Sequence, residues 1–133
     1  MSVIVQEIIV GRTCRLYAMA GEKGCPVWDF LSELKKRKRA DFVKAMKLFE
    51  YVSEHGTPKN TEKCRYFREE RAFELKPSGT VRVMAFWDEN QVVICSHGFV
   101  KKSVKTPARE LEKLRVSRRV YFEAKRANSI EWK

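Results

Sequence analysis

The apolar positions in the first 55 residues predict two extended segments followed by two helices. Residues 3–10 are rich in Val and Ile, which favours a strand or an extended N-terminal arm, and residues 12–19 alternate like a half-buried strand. Pro26 fits the first position of a helix that ends near Arg37, and apolar side chains recur every three or four residues over 40–55. Because the link between these helices is so short, the pattern predicts an antiparallel helical hairpin.

The middle of the chain has the pattern of a β-meander. Residues 57–70 are polar and loop-like, with one candidate strand at 64–67, and residues 73–76 alternate between apolar and charged side chains. The apolar run at 81–87 is followed by a short polar turn and a second apolar run at 92–96. Two such runs around a short turn predict an antiparallel pair of strands.

A third helix is predicted after the meander. Thr106 suits the N-cap and Pro107 the first helical position, where a missing N–H costs nothing. The apolar spacing allows this helix to continue to Ala127 or to end near Val116. The order of strands, helical hairpin, meander and helix predicts an α+β fold in which helices pack on one antiparallel sheet.

The composition is that of a basic globular protein, and it narrows the classes of partner. Of the 133 residues, 44% are hydrophobic and 34% charged, and we expect residues 1–133 to form a single domain. The formal net charge of +11 favours a polyanionic partner, which can be nucleic acid, an anionic membrane surface or an acidic protein. No apolar run approaches the roughly 20 residues of a membrane span, and the N-terminus lacks the features of a signal peptide.

Metal and disulfide chemistry are not predicted. The four cysteines form no CxxC pair, and with only two histidines there is no recognisable zinc set. Gly-rich phosphate loops and the GxSxG and HExxH motifs are also absent from the sequence. We therefore expect reduced thiols, a cytoplasmic location and no cofactor.

The positive charge is concentrated around the third predicted helix. Residues 98–127 contain ten Lys and Arg against three Glu, a net charge of +7, which leaves +4 for the other 103 residues. Within this region Lys101, Lys102 and Lys105 crowd the short segment between the last strand and the helix. Like charges at this density are unfavourable unless they are solvated or face an anion, so both interpretations stay open.

Arg82 is a candidate for phosphate binding within its strand. Its neighbours Val81 and Val83 favour the core, so Arg82 should lie on the opposite face of the sheet. Glu74 and Lys76 have the equivalent parity on the preceding strand. Such a cluster suits a phosphodiester, and a lysine or glutamate in it could remove a proton from an RNA 2′-hydroxyl. The alternative is that Arg82 pairs with Glu74 and neither residue touches a substrate.

His97, at the end of the second apolar run, also has two interpretations. Its ordinary pKa of about 6.5 would suit acid–base catalysis near neutral pH. A single histidine that ends a strand is more often a hydrogen-bonded core or turn residue. The sequence leaves both open.

Several of these segments resemble a family of microbial toxins. The resemblance is carried by HGFVKKSVKTPARE at 97–110, FELK at 73–76, VRV at 81–83 and the pattern GxPVxxFL at 24–31. Over residues 12–115 the chain is similar to the phage-derived, HigB-like branch of the RelE/ParE toxin superfamily. This resemblance implies a RelE-like, microbial-RNase-type α+β fold: an N-terminal helical hairpin packed on a small antiparallel sheet, with a C-terminal helix.

The resemblance also implies an activity and partners. The implied protein is the toxin of a type II toxin–antitoxin system, a metal-independent mRNA endoribonuclease (mRNA interferase) that works on the ribosome. Cleavage in such toxins proceeds by attack of the RNA 2′-hydroxyl on the adjacent phosphate. The implied partners are mRNA, the ribosome and a helix-turn-helix, HigA-like antitoxin, with no membrane partner.

The resemblance implies site residues as well. Arg82 matches the strand arginine that contacts the scissile phosphate, and Glu74 matches a position that serves as the base in some members. The other catalytic candidates are Lys101, Lys102, Lys105 and, as a weaker match, His97. The candidates for RNA binding are Lys76, Arg109 and Lys113.

Other parts of the chain depart from the family pattern. Residues 1–11, a strand or arm, and residues 116–133, a helical extension, lie outside the family-like core. The late tyrosine that stacks on a base in some relatives has no clear counterpart unless Tyr121 reaches the site. Two other functions therefore stay open: a non-catalytic nucleic-acid-binding module and a ParE-like toxin that poisons DNA gyrase.

Overall fold

A computed structural model describes residues 2–133, in which seven strands form one sheet and three α-helices pack against it. The strands are β1 (Val3–Val10), β2 (Arg15–Ala20), β3 (Cys64–Phe67), β4 (Ala72–Leu75), β5 (Val81–Asp88), β6 (Val92–Val100) and β7 (Ile130–Trp132). The helices are α1 (Pro26–Arg37), α2 (Arg39–His55) and α3 (Ala108–Arg126), with a short 3₁₀ helix at Arg68–Glu70.

The sheet is mixed rather than antiparallel. From one edge to the other the strand order is β3-β4-β5-β6-β2-β1-β7. The pairs β2–β6 and β1–β7 are parallel, and the remaining neighbours are antiparallel. The predicted meander therefore forms one side of a larger sheet, and the N-terminal strands extend it on the other side.

The predicted fold, with an N-terminal helical hairpin on a small antiparallel sheet, is wrong. The hairpin of α1 and α2 follows two strands, and the sheet that it covers has seven strands with two parallel pairs. The physical reason is that apolar alternation identifies a strand but not its partner. A parallel pair needs a long connection, and the helices between β2 and β6 provide one.

The two faces of the sheet bury two separate cores. The α1–α2 hairpin covers one face, whose core includes Leu16, Leu31, Phe49, Val83 and Cys95. Helix α3 lies on the other face, whose core includes Met84, Phe86, Ile94, Leu114 and Tyr121. Side chains alternate along β5, so a residue next to a hairpin-side valine points toward the α3 side.

Helix α3 is one continuous helix to Arg126 with Ala127 as its C-cap, so of the two predicted alternatives the longer is confirmed and the end near Val116 is wrong. Its N-cap is Pro107 rather than Thr106, and no side chain caps its first turn. After the helix, β7 adds to the sheet beside β1, and the Trp132 ring meets the Tyr17 ring edge-on at 4.9 Å between centroids. None of the helices in residues 2–133 combines the length and the apolar character that crossing a membrane requires.

The four cysteines are buried free thiols. Burial raises the pKa of Cys64 to about 11 and that of Cys95 to about 12. Since the thiolate is the reactive and metal-binding form, these side chains act as small apolar core residues. Within residues 2–133 no group of three or more His, Cys, Asp and Glu side chains is arranged to hold a metal ion.

Candidate functional site

Arg82 and Glu74 come together on the α3 side of the sheet. Val81 and Val83 are buried in the hairpin-side core, so the prediction that Arg82 faces the other way is confirmed. Strands β4 and β5 are antiparallel neighbours with Glu74 opposite Met84, which brings the glutamate beside the arginine. Arg82 Nε lies 3.6 Å from Glu74 Oε1.

The Arg82 guanidinium is buried and holds the turn between β4 and β5. Its Nη1 donates to the carbonyl oxygens of Ser78 at 2.8 Å and Val81 at 2.9 Å, and its Nη2 donates to Gly79 at 3.2 Å. A guanidinium carries five N–H donors, and Nε faces Glu74 without forming a hydrogen bond. One Nη2 hydrogen therefore remains for a ligand among the contacts of the described residues. Burial lowers the pKa of Arg82, and Glu74 acts in the opposite direction.

Glu74 is enclosed rather than open to a substrate. Its side chain is 0% exposed, and Oε2 accepts a hydrogen bond from the Thr106 hydroxyl at 2.7 Å. A buried carboxylate is stable only when it is paired and hydrogen-bonded, and Arg82 and Thr106 supply those partners. Glu74 therefore links β4 to β5 and to the segment before α3, and its position fits a residue that orients Arg82.

Lys101 lies beside this pair at the end of β6. Its backbone N–H donates to the Thr80 carbonyl at 2.6 Å, which fixes the start of the basic segment next to β5. Partial burial, followed by repulsion from Arg82, lowers the pKa of Lys101 below its ordinary value, while Glu74 acts to raise it. A lysine with a lowered pKa can exchange a proton more readily near neutral pH.

A cleft of about 350 Å³ opens over Arg82 and Lys101. Lys102 also lines this cleft, whereas Lys105 is exposed on the same segment and is not among the lining residues. None of these three lysines forms an ion pair with a carboxylate in residues 2–133. Lys76 lies close enough to lower the pKa of Lys101 further, and its Nζ donates to the Thr61 carbonyl at 2.9 Å.

The remaining candidates form a second cluster around Glu110. His97 Nε2 lies 3.2 Å from Glu110 Oε1, and His97 Nδ1 shares a hydrogen bond with Ser96 Oγ at 2.8 Å. Arg109 Nε lies 3.4 Å from Glu110 Oε2, and Lys113 Nζ lies 3.5 Å from Oε1. The sequence-predicted set is thus divided in two, with His97 of β6 and Arg109 and Lys113 of α3 grouped around Glu110. His97 is a buried side chain that ties β6 to this helix.

The stability of the protein should fall as the pH drops below about 6.5, the ordinary pKa of a histidine. Burial lowers the pKa of His97, although Glu110 acts to raise it. The unfolded chain therefore binds a proton at higher pH than the folded chain, and acidification favours unfolding. Urea midpoints measured between about pH 7.5 and pH 5.5 should decrease, and the decrease should be smaller in His97→Gln.

The second histidine supplies the matched control for this titration. His55 is exposed at the end of α2, so His55→Gln removes a histidine without disturbing the contact between His97 and Glu110. An equal loss of pH dependence in both variants, or an unchanged slope in His97→Gln, would contradict the assignment to His97.

Some residues of the two clusters were not recognised from sequence. Thr106 was expected to cap α3, but its hydroxyl binds Glu74, and Glu110 was not singled out as a centre of charge. The spacing of His97 and Glu110 does not reveal their contact, because one is on a strand and the other on a helix. Tyr121 is buried in the α3-side core with its hydroxyl bound to Asp88, so it does not reach Arg82 as the missing stacking residue.

Comparison with known proteins gives one match that spans most of the chain. Residues 29–119 match the family described as "Phage derived protein Gp49-like (DUF891)". This range includes both clusters and the basic segment between β6 and α3. No curated protein matches the chain.

Proposed function

Because the chain belongs to the Gp49-like phage-derived family, part of the RelE/HigB-type toxins, we propose that it is a type II toxin that cleaves mRNA. The proposal assigns it to the HigB-like branch, with translating ribosomes as the place of cleavage and a helix-turn-helix, HigA-like protein as its antitoxin. Membership of this family is consistent with a toxin paired with an antitoxin. The nuclease activity and its substrate rest on the chemistry of the Arg82 cleft.

The observation that carries the proposal is the pairing of Arg82 with Lys101 at one small cleft. Glu74 offsets one of these two positive charges, and Lys101 has no carboxylate partner in residues 2–133, so one positive charge remains to attract an external anion. A phosphodiester is an anion of suitable size for this cleft of about 350 Å³, and the free Nη2 hydrogen of Arg82 can donate to one of its oxygens. Lys102 adds a third positive charge at the same opening.

The proposed reaction is an internal transesterification that needs no metal. The RNA 2′-oxygen attacks the adjacent phosphorus, the bond from phosphorus to the 5′-oxygen breaks, and the products are a 2′,3′-cyclic phosphate and a 5′-hydroxyl. Lys101 in its neutral form accepts the 2′-hydroxyl proton, which its lowered pKa favours. Arg82 neutralises charge on the pentacoordinate phosphorus, and Lys102 or Lys105 protonates the leaving oxygen.

The other candidates have supporting roles in this scheme. Glu74 orients Arg82 and Thr106 and is too enclosed to act as the base. His97 acts through Glu110, by positioning α3, rather than on the substrate. Lys76, Arg109 and Lys113 contribute positive charge for RNA phosphates outside the reacting group.

Mapping of transcript 5′ ends after induced expression tests the function. We expect cuts within translated regions, fragments with 5′-hydroxyl ends, and loss of the cuts when translation is blocked. Intact mRNA with DNA damage would instead indicate a ParE-like gyrase poison, and intact mRNA with normal growth would indicate a non-catalytic nucleic-acid-binding module.

A further inference from the structure

A groove of about 870 Å³ shares Arg82 with the cleft that Lys101 lines. One wall is the surface of α2, with Lys44, Lys47 and Tyr51. The opposite wall is built by residues around β3 and by the turn between β4 and β5. Gly79 and Arg82 line both the groove and the cleft, so the two depressions are neighbours.

The groove is lined by unpaired positive charge. Its lysines are Lys44, Lys47, Lys63 and Lys76, and Glu62 is the only acid among the described residues that line it. None of the four lysines forms an ion pair with a carboxylate within residues 2–133. Because an ammonium group without a carboxylate partner is free to bind an external anion, the groove suits a polyanion.

The α3 surface is a less suitable site for the same ligand. Its arginine-lined hollow includes Arg115, but this side chain already bridges Glu70 at 2.9 Å and Glu112 at 3.3 Å. A ligand at Arg115 would compete with two carboxylates, and the Arg118 guanidinium in the same hollow is already stacked over the Phe122 ring, 4.8 Å from its centroid. The groove beside α2 imposes no such competition on its lysines.

An exposed aromatic ring distinguishes the groove from a simple phosphate site. Tyr51 is 48% exposed on α2, and its ring lies against the His55 ring at 4.8 Å between centroids. Buried Leu48 and Pro58 form an apolar part of the lining. Lysines beside an exposed aromatic ring are the combination that binds single-stranded nucleic acid, because an unpaired base can stack on the ring while its phosphates meet the charges.

We propose that this groove binds the single-stranded RNA segment next to the phosphate held by Arg82. Lys44, Lys47 and Lys63 contact successive backbone phosphates, and Tyr51 stacks on a base. The inference rests on the proposed function only in taking Arg82 to mark the reacting phosphate. An acidic protein segment would match the lysines but would make no use of Tyr51.

Binding of a short fluorescent 2′-O-methyl oligoadenylate, followed by anisotropy at several salt concentrations, tests the charges. This probe has no free 2′-hydroxyl and cannot be cleaved by the proposed reaction. In the double variant Lys44→Ala, Lys47→Ala the slope of log affinity against log salt should become shallower by about 1.4, since each single-strand phosphate contact contributes about 0.7. The control Lys36→Ala, Arg39→Ala removes the same charge from exposed positions outside the groove and should keep the wild-type slope.

The aromatic contact has a separate signature. Tyr51→Ala should weaken probe binding by about 5- to 150-fold, the range for one base stacked on an aromatic ring, with an unchanged salt slope. Tyr51→Phe keeps the ring and should retain binding within about threefold of wild type, because stacking depends on the ring.

The outcomes separate this inference from the proposed function. Suppose that the wild-type protein cleaves no RNA but that the Lys44→Ala, Lys47→Ala variant loses probe binding. This result would support the groove as an RNA site and refute the nuclease activity. If the wild-type protein does cleave RNA and the variant binds the probe normally, the groove is refuted as the RNA site while the nuclease activity stands. A wild-type protein that fails to bind the probe, or that binds a polyglutamate peptide more tightly through Lys44 and Lys47, overturns the groove as an RNA site.

Discussion

Arg82→Ala is expected to reduce RNA cleavage by about 10²-fold or more and to lower the free energy of unfolding by about 3–5 kcal/mol. The first effect follows because the variant lacks the donor that we propose binds the scissile phosphate. The second follows because Glu74, at 0% exposure, would keep a buried charge without its cationic partner. The turn between β4 and β5 would also lose three hydrogen bonds from the guanidinium to its carbonyl groups.

A double variant separates the catalytic effect of Arg82 from its structural effect. Arg82→Met with Glu74→Leu replaces the buried ion pair by apolar side chains of similar size, which is often neutral for stability. We expect urea denaturation to give a free energy of unfolding close to wild type, while RNA cleavage stays lost. Cleavage at the wild-type rate by this folded double variant would mean that Arg82 only supports the turn.

Tyr121→Ala is expected to lower the free energy of unfolding by about 3–5 kcal/mol, as other large aromatic truncations in cores do. Tyr121 is among the largest fully buried side chains, and its ring packs against Phe86 at 5.4 Å and Phe122 at 5.0 Å between centroids. Its hydroxyl donates to Asp88, which Lys125 also contacts at 2.5 Å. The truncation would leave both a cavity and a weakened attachment of α3 to β5.

The conservative change at the same position provides the control. Tyr121→Phe keeps the ring and loses only the hydroxyl, so the cost should be about 1–3 kcal/mol, that of leaving a buried acceptor with fewer partners. Cleavage should be unchanged in this variant, because the hydroxyl points to Asp88 rather than to Arg82.

A change of less than 1 kcal/mol in the free energy of unfolding on Tyr121→Ala, measured by urea denaturation, would contradict the packing argument. Loss of cleavage in folded Tyr121→Phe would mean that the hydroxyl, through Asp88, is needed for the reaction.

Asp88 is another buried titratable residue, but its effect on the pH dependence of stability differs from that of His97. Burial acts to raise the pKa of Asp88, but hydrogen bonds from Lys125 and Tyr121 outweigh it, and the pKa is lowered. Stability from Asp88 is therefore present above its ordinary pKa of about 4 and is lost only in strong acid. The decrease in stability expected just below neutral pH thus belongs to His97.

From the sequence, the alternation of side chains along a strand predicted only which face of the sheet each candidate residue occupies. Alternation along β5 was enough to predict that Arg82 and Val83 face opposite sides. It also put Glu74 on the matching parity of β4, and the two side chains meet. Alternation could not reveal that Thr106 binds Glu74, because that contact joins residues 32 positions apart.

The grouping of the basic residues was less predictable. A count of charge along the chain assigned Lys101, Arg109 and Lys113 to one basic region. In the structure the helical geometry of α3 turns Arg109 and Lys113 toward Glu110, while Lys101 stays beside Arg82. The groove next to Arg82 is built largely from α2, which the charge count did not single out.

By itself the sequence determined the kinds of local structure in this protein: the helices at 26–37 and 40–55, the strands around 81–87 and 92–96, and the net positive charge. These follow from side-chain spacing and composition, which need no knowledge of partners. Only the tertiary structure decided that β2 pairs with β6, that β1 and β7 widen the sheet, and that lysines of α2 lie beside Arg82. Such contacts join residues far apart in the chain, and their free energy depends on how whole faces pack, which a local pattern does not encode.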